Sequence, residues 1–253
     1  SGKAAICIFA KDRRRRAGAR AMSKGQDMKS IVTAAAAIMM TAGCVQAQSG
    51  PTTTFDGLAG SRDVDTDGNV EMNGAAISLS GRVGGWVEMN GGAVDVDARV
   101  GSDMEINGGA VEVRGSIGGA TLINGGAVDL DGSFAGPVEL NAGAAELTGD
   151  FARGLTANVG ALEFTGEARG EVVIKGSGRE RNWRGQERGD RSEVVINGRL
   201  PEGASICAHE VRFGPDARFG GAVTVRADAP PVFAEGVDAD QVRFTAREQA
   251  RCD

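Results

Sequence analysis

Residues 87–113 read VEMNGGAVDVDARVGSDMEINGGAVEV, in which one pattern begins again seventeen positions later. In both copies an apolar residue precedes the asparagine, Asn90 or Asn107, and Gly-Gly-Ala-Val follows it. Apolar and acidic residues then alternate, as in Val-Asp-Val at positions 94–96. Alternation with a period of two is typical of a strand with one buried face. The quoted stretch therefore predicts short strands that recur with a seventeen-residue period.

The pattern extends outward from this stretch in both directions. Asparagines recur at every seventeenth position: Asn73, Asn90, Asn107, Asn124, Asn141 and Asn158. Lys175 occupies the next position of this series. Five positions in each copy are predominantly apolar, namely the third and the first before the asparagine and the fourth, sixth and tenth after it. Such a repeat is typical of a solenoid. We predict an all-β, single-chain β-solenoid with 17-residue coils, whose apolar columns fill the core.

The composition agrees with many short strands joined by tight turns. The 253 residues include 40 glycines, 4% aromatic residues and no tyrosine. Glycines after the asparagines, and after the last apolar position of a copy as at Gly84 and Gly101, predict the corners of the coils. The only histidine, His209, excludes a multi-histidine metal site and leaves one candidate base. We expect no catalytic residue, no metal and no cofactor.

The asparagine column has a structural interpretation. Like side chains stacked at the strand spacing can pass amide hydrogen bonds from coil to coil, which satisfies polar groups at a corner. We therefore predict a structural ladder of the six asparagines.

Acidic residues form two further columns on outward positions: Asp95, Glu112, Asp129, Glu146 and Glu163 in one, and Glu71, Glu88, Glu105 and Glu139 in the other. A divalent-cation ladder is one interpretation, because carboxylates one strand spacing apart can share Ca²⁺. A solvated face that keeps the protein soluble is the other. Residues 65–176 hold seventeen acidic and six basic residues, and this excess repels phosphate backbones, so we expect no nucleic-acid binding.

The N-terminal region has the features of a bacterial secretory signal. Residues 28–48 read MKSIVTAAAAIMMTAGCVQAQ, with a lysine, an apolar run and then small residues. The run is about half of the ~20 residues that a membrane-spanning helix needs. We assign residues 28–47 as a signal peptide and predict export to the periplasm, the outer membrane or the outside. Residues 1–27, with arginines at 13–16, are assigned as an upstream segment without function.

Two cleavage sites overlap in this signal. Cleavage before Gln48, after an A-x-A-like sequence, gives a soluble exported protein. The residues Thr-Ala-Gly-Cys at 41–44 resemble a lipobox, so Cys44 is the candidate lipidation site. A lipid anchor there is the only membrane attachment that we expect.

The repeat is interrupted after residue 176. Residues 177–192 are polar and arginine-rich, and the pattern resumes with Asn197, twenty-two positions after Lys175, which predicts a coil with about five extra residues. Four residues of this loop are candidates for binding an anionic glycan or the acidic flank of a neighbouring molecule: Arg181, Trp183, Arg184 and Arg188. A surface loop without a binding role is the alternative.

Both ends of the solenoid carry candidate caps. Residues 48–64 keep the repeat poorly and are assigned as an N-terminal cap or linker. Residues 193–253 are assigned as irregular C-terminal coils with a cap, in which Pro230 and Pro231 interrupt a strand. Cys207 and Cys252 are the candidate disulfide of an exported protein. With both ends capped, we expect a monomeric rod.

The repeat length and the chemistry of the columns resemble those of the bactofilins and related bacterial polymer-forming proteins. The resemblance covers residues 70–176 and, more loosely, 193–246. It implies a right-handed β-helix that assembles end to end without nucleotide. The repeats also resemble those of bacterial putative-adhesin domains, which share VE-x-NG-like β repeats.

The repeat and the export signal together indicate a non-enzymatic β-solenoid of the cell envelope, which acts as a structural, adhesive or self-associating element. Its expected partners are further copies of itself or an envelope component such as a polysaccharide. A cytoskeletal-type polymer-forming protein is the first alternative. A carbohydrate-active β-helix enzyme is the second, and it would need long loops that form a cleft with paired acids. A seventeen-residue period excludes the hexapeptide-repeat acyltransferases.

The signal generates a prediction about the N-terminus of the exported protein. When the chain is expressed in a bacterial host, we expect mass spectrometry to find a mature N-terminus at Cys44 or Gln48. A lipid-modified Cys44 identifies a lipoprotein, whereas Gln48 identifies a soluble product. An unprocessed chain in the cytosol would contradict the assignment.

Overall fold

The computed structural model describes residues 50–176, 179–181, 187–247 and 252. Side chains are described for 50–176, 191–247 and 252. The predicted signal peptide at 28–47, the lipidation candidate Cys44 and the upstream segment 1–27 lie outside these residues.

The described residues form an all-β solenoid of about 11 coils with roughly 17 residues each, which confirms the predicted fold. The first two strands, β1 (Thr52–Asp56) and β2 (Ala59–Thr66), share the first coil. Six long strands then each follow one coil: β3 (Asn69–Val83), β4 (Val87–Val100), β5 (Met104–Ile117), β6 (Thr121–Phe134), β7 (Val138–Phe151) and β8 (Leu155–Ala168). No described helix is long and apolar enough to cross a membrane.

Neighbouring coils pair in parallel with a constant offset. Asn73 pairs with Asn90 and Asn90 with Asn107, and the same offset of seventeen positions continues to β9 (Val172–Gly176). Each equivalent residue therefore lies one strand spacing, about 4.8 Å, from the previous one.

The core is the set of columns that the sequence predicts. Every residue at the five predicted positions is buried, from Val70 in β3 to Ile174 in β9. In the column ten residues after the asparagines, Phe134 and Phe151 stack with ring centroids 5.0 Å apart. The alternation of apolar and polar residues thus assigns the inner face correctly.

One corner of the coil was not predicted. Each of the six coils from β3 to β8 is a continuous strand that bends at its corners instead of a set of separate short strands. Eight residues after the asparagine, Gly115 and Gly149 have φ angles of 128° and 120°. A Cβ at either position would lie less than 3.0 Å from a carbonyl oxygen of the preceding coil. Glycine is required there because both the backbone conformation and the close approach exclude a side chain.

The length predicted for the interrupted coil was wrong. Val194 pairs with Leu162 and Ile196 with Phe164, an offset of thirty-two positions instead of seventeen, so the insertion contains fifteen residues and not about five. Asn197 consequently lies outside the asparagine column, and its Oδ1 accepts a hydrogen bond from the Asp216 N–H (2.9 Å). The inserted residues include an antiparallel hairpin of β10 (Arg179–Arg181) and β11 (Glu187–Asp190).

The coils after the insertion become longer than the regular ones. The offset is 17 at Val194–Val211, 19 at Ala204–Val223 and 20 at Phe213–Phe233. Their strands are short: β12 (Glu193–Ile196), β13 (Arg199–Leu200), β14 (Ala204–Cys207), β15 (Glu210–Phe213), β16 (Arg218–Phe219), β17 (Val223–Ala227), β18 (Val232–Phe233) and β19 (Val242–Ala246).

The two faces of β5 generate a prediction about stability. Val113 is 1% exposed, so Val113→Asp buries a charge in the apolar core and should lower the free energy of unfolding by about 4 kcal/mol or more. Glu112→Lys removes an exposed ion pair with Arg114 and should change it by less than about 0.5 kcal/mol. Denaturant unfolding measures both values. A larger loss for Glu112→Lys than for Val113→Asp would show that the faces are reversed.

Candidate functional site

The asparagines form a hydrogen-bonded ladder. The Nδ2 of each asparagine donates to the Oδ1 of its equivalent in the preceding coil, at 2.9 to 3.1 Å, in all five pairs: Asn90–Asn73, Asn107–Asn90, Asn124–Asn107, Asn141–Asn124 and Asn158–Asn141. The side chains are half-buried at the corner after the second apolar position of each copy. The parallel register positions one amide directly above the next, and the glycines that follow leave room for the bend.

The ladder has a direction. At its first end the Nδ2 of Asn73 donates to Oδ1 of Asp56 (3.0 Å), a carboxylate that can only accept. At its other end Lys175, which can only donate, occupies the position next to Asn158. All amides therefore point their donors toward the first coil, and hydrogen bonds in such a chain polarise one another. Side chains engaged in this way are not free to bind a ligand.

A long groove runs along one side of the regular coils. It has a volume of about 940 Å³ and extends from Gly60 to Val195. Exposed alanines lie along it, one per coil: Ala76, Ala93, Ala110, Ala127, Ala144 and Ala161. The first acidic column, from Asp95 to Glu163, lies along the same groove two residues further along each strand. The surface thus combines an apolar stripe with a row of carboxylates.

The acidic columns present their carboxylates one per coil. No group of three or more His, Cys, Asp or Glu residues within the described ranges is placed to hold a metal ion. Arginine neighbours some of the carboxylates: Arg114 pairs with Glu112 and lies 4.0 Å from Asp95. The cation-ladder interpretation therefore receives no support from the geometry.

A second cluster joins the last three coils at one corner. Cys207 and Cys252 form a disulfide (S–S 2.01 Å). His209 Nδ1 lies 2.7 Å from Oδ2 of Asp228, and the Nε of Arg247 donates to Oδ1 of Asp228 (2.8 Å). The hydrogen bond from Arg247, assisted by His209, lowers the pKa of Asp228 against the opposing effect of burial. We call these five residues the C-terminal clamp.

The clamp offers no nucleophile to the single histidine. Cys207 is disulfide-bonded and has no thiolate, and the ring of His209 is held by the Asp228 carboxylate. Because Asp228 is itself paired with Arg247, the cluster is a set of charge-assisted contacts between successive coils. Its evident role is to hold the last coils together.

The candidate binding loop lies mostly outside the described residues. Arg181 and Arg188 belong to the hairpin strands β10 and β11, but their side chains are not described. Trp183 and Arg184 lie between these strands, outside the described residues. A binding role for the four residues stays a prediction.

Sequence reasoning missed the groove, although its signal is visible. An alanine stands three residues after every asparagine of the ladder, on an outward position where a polar residue is expected. A small apolar residue repeated there indicates a surface that stays shallow and uncharged between charged columns.

Comparison with protein-family models, curated proteins and solved structures found no match. The resemblance to bactofilins and putative adhesins therefore stays a prediction from the repeat alone.

The ladder generates a prediction about pH. In the wild-type chain, Nδ2 of Asn124 donates to Oδ1 of Asn107 at 2.9 Å. Asn124→Asp replaces this donor with a carboxylate oxygen, which faces another acceptor. The change should lower the free energy of unfolding by about 1–3 kcal/mol at pH 7. Protonation restores a donor, so the folded-state pKa of the new carboxyl is raised above its unfolded value near 3.9. The loss is therefore complete above the raised pKa and disappears as pH falls below the unfolded one.

The matched control is Asn124→Ala, which removes the donor and the acceptor and cannot titrate. Its cost should be similar at pH 7 and should not fall at acid pH relative to the wild-type chain. Unfolding curves between pH 3.5 and pH 7 compare the two variants. A pH-independent cost for Asn124→Asp would show that the ladder does not depend on that donor.

Proposed function

We propose that this protein is a non-enzymatic structural element of the bacterial cell envelope, exported and acting through its outer surface. The observation that carries the proposal is the unbroken 17-residue register from β1 to β9, in which the recurrent polar side chains hold one coil to the next. The core residues and the asparagines contact neighbouring coils and hold them as a rigid scaffold. The exposed alanine and acidic columns remain available to bind a partner.

The arrangement of acids favours binding over hydrolysis. A glycosidase places two carboxyl groups on either side of the scissile bond. The acids that line the groove on the regular coils stand in a single column on one side of the alanines. A polysaccharide in the groove would meet them along one edge, where they accept hydrogen bonds from hydroxyl groups.

The length of the groove suits an extended polymer. It crosses about eight coils, and the seven spacings between them, at about 4.8 Å each, give a length of roughly 34 Å. The alanine stripe provides a flat apolar floor for the faces of sugar rings, and the carboxylates provide acceptors at a regular spacing. We therefore propose an envelope polysaccharide as the partner of this groove.

The test combines sedimentation with product analysis. The chain purified from an expressing bacterium is incubated with insoluble envelope polysaccharide, and bound protein and released sugars are measured after centrifugation. We expect the protein to sediment with the polysaccharide and no soluble fragments to appear. Release of fragments would overturn the non-enzymatic assignment.

A pair of matched variants tests the groove. Asp129→Lys with Glu146→Lys reverses two charges in the groove column and should reduce the bound fraction at least about fivefold. Glu105→Lys with Glu139→Lys makes the same charge change in the other acidic column, away from the groove, and should bind like the wild type. Equal losses in both would show that only net charge matters.

A further inference from the structure

The two ends of the solenoid differ in what occupies the core columns. In the first coil the inward positions carry Thr53 beside Val70, Arg62 beside Leu79 and Thr66 beside Val83. The Arg62 guanidinium lies over the ring of Phe55, 4.8 Å from its centroid. Three of the five core columns therefore end in polar residues at the N-terminal end, whereas Phe55 beside Met72 is apolar.

The C-terminal end keeps apolar residues in these columns. In β19, Val242 lies beside Val223 and Phe244 beside Val225, yet 37% of Phe244 is exposed. Val232 in β18 is 54% exposed but lies beside Arg212 on an outward position, outside these columns. Only Leu58, in the first coil, joins these two as an exposed large hydrophobic residue among the described residues. The core is open at this end.

The chain that follows β19 is tied to one corner of the solenoid. Arg247 contacts Asp228 of the preceding coil, and Cys252 is bonded to Cys207 in β14, which lies two coils before β19. Within the described residues, β18 pairs only with β15 and β19 only with β17.

The end has the form of a step. Strand β19 lies on β17 and forms the last half-coil, whereas the adjoining side of the solenoid ends one coil earlier at β18, where Phe233 stacks on Phe213 with ring centroids 5.1 Å apart. A twofold axis at this step sets the raised half of one copy over the lowered half of another. A surface of this form is self-complementary, as an isologous dimer interface requires.

We propose that this end face, formed by β18 and β19, binds the same face of a second copy, so that two solenoids join end to end in a closed dimer. The contact buries Phe244 and gives partners to the open strand edges. This inference rests on the proposed structural role and deepens it by naming a second copy as a partner.

The same features oppose a head-to-tail contact. That arrangement would bring Arg62 of the first coil into the apolar column that ends at Phe233 in β18, and a desolvated guanidinium without an acid partner is costly. It would also leave the missing half-coil above β18 unfilled. The expected assembly therefore stops at two copies and does not grow into a filament.

The test is the mass in solution over a range of protein concentrations, measured by light scattering after gel filtration on the chain as purified. We expect a mass that rises from one chain to two and no further. Phe244→Glu should raise the dimer dissociation constant about tenfold or more. Leu58→Glu changes a more exposed hydrophobic residue at the other end and should leave dimerisation unchanged.

Each other outcome overturns the inference. A single-chain mass at every concentration excludes the dimer, and a series of masses above two chains indicates head-to-tail growth. Equal weakening by Leu58→Glu and Phe244→Glu would exclude the end face. Circular dichroism confirms that both variants keep their strands. Failure here leaves polysaccharide sedimentation unaffected, so the two proposals are separately testable.

Discussion

Parallel pairing at a constant offset places chemically equivalent residues directly above one another, and the rest of this structure depends on that stacking. An apolar residue must have an apolar neighbour above and below, or the core contains a gap or a charge. The amides of Asn73 to Asn158 satisfy the same condition by donating and accepting along one line. At Gly115 and Gly149 the condition excludes every side chain, because the previous coil approaches too closely. One geometric rule thus produces the core, the ladder and the corners.

The parts of the fold that the sequence predicts are the parts that repeat. Six copies aligned on the asparagine identify the five buried columns, and even Thr121, the polar exception among them, is buried as its column requires. The insertion was misjudged because a Val-x-Ile segment fits either of two pairs of columns, and Val194 to Ile196 entered the second pair. The alternation of one short strand carries no information about which side of the coil it belongs to. Only neighbouring coils resolve that choice.

The ends and the groove were harder to predict for a different reason. A terminal coil occurs once, so no column of equivalents shows what Arg62 or Phe244 faces. The disulfide pairing of Cys207 and Cys252 was accessible because two cysteines follow the regular coils, but the Asp228–Arg247 contact beside it depends on the longer late coils that bring these residues together. The alanine stripe repeats in the sequence, yet repetition alone does not say which partner it meets.

The position of the hairpin insertion has a consequence for how such a chain can change its length. The inserted segment begins directly after Gly176, just beyond Lys175, where the row of asparagines has already ended. A length change between two asparagines that moves their coils out of register would break the hydrogen bond between their amides. A length change beyond the last one breaks none. The ladder therefore divides the described coils into a region in which a length change costs side-chain hydrogen bonds and a region in which it costs none, and the longer late coils all belong to the second.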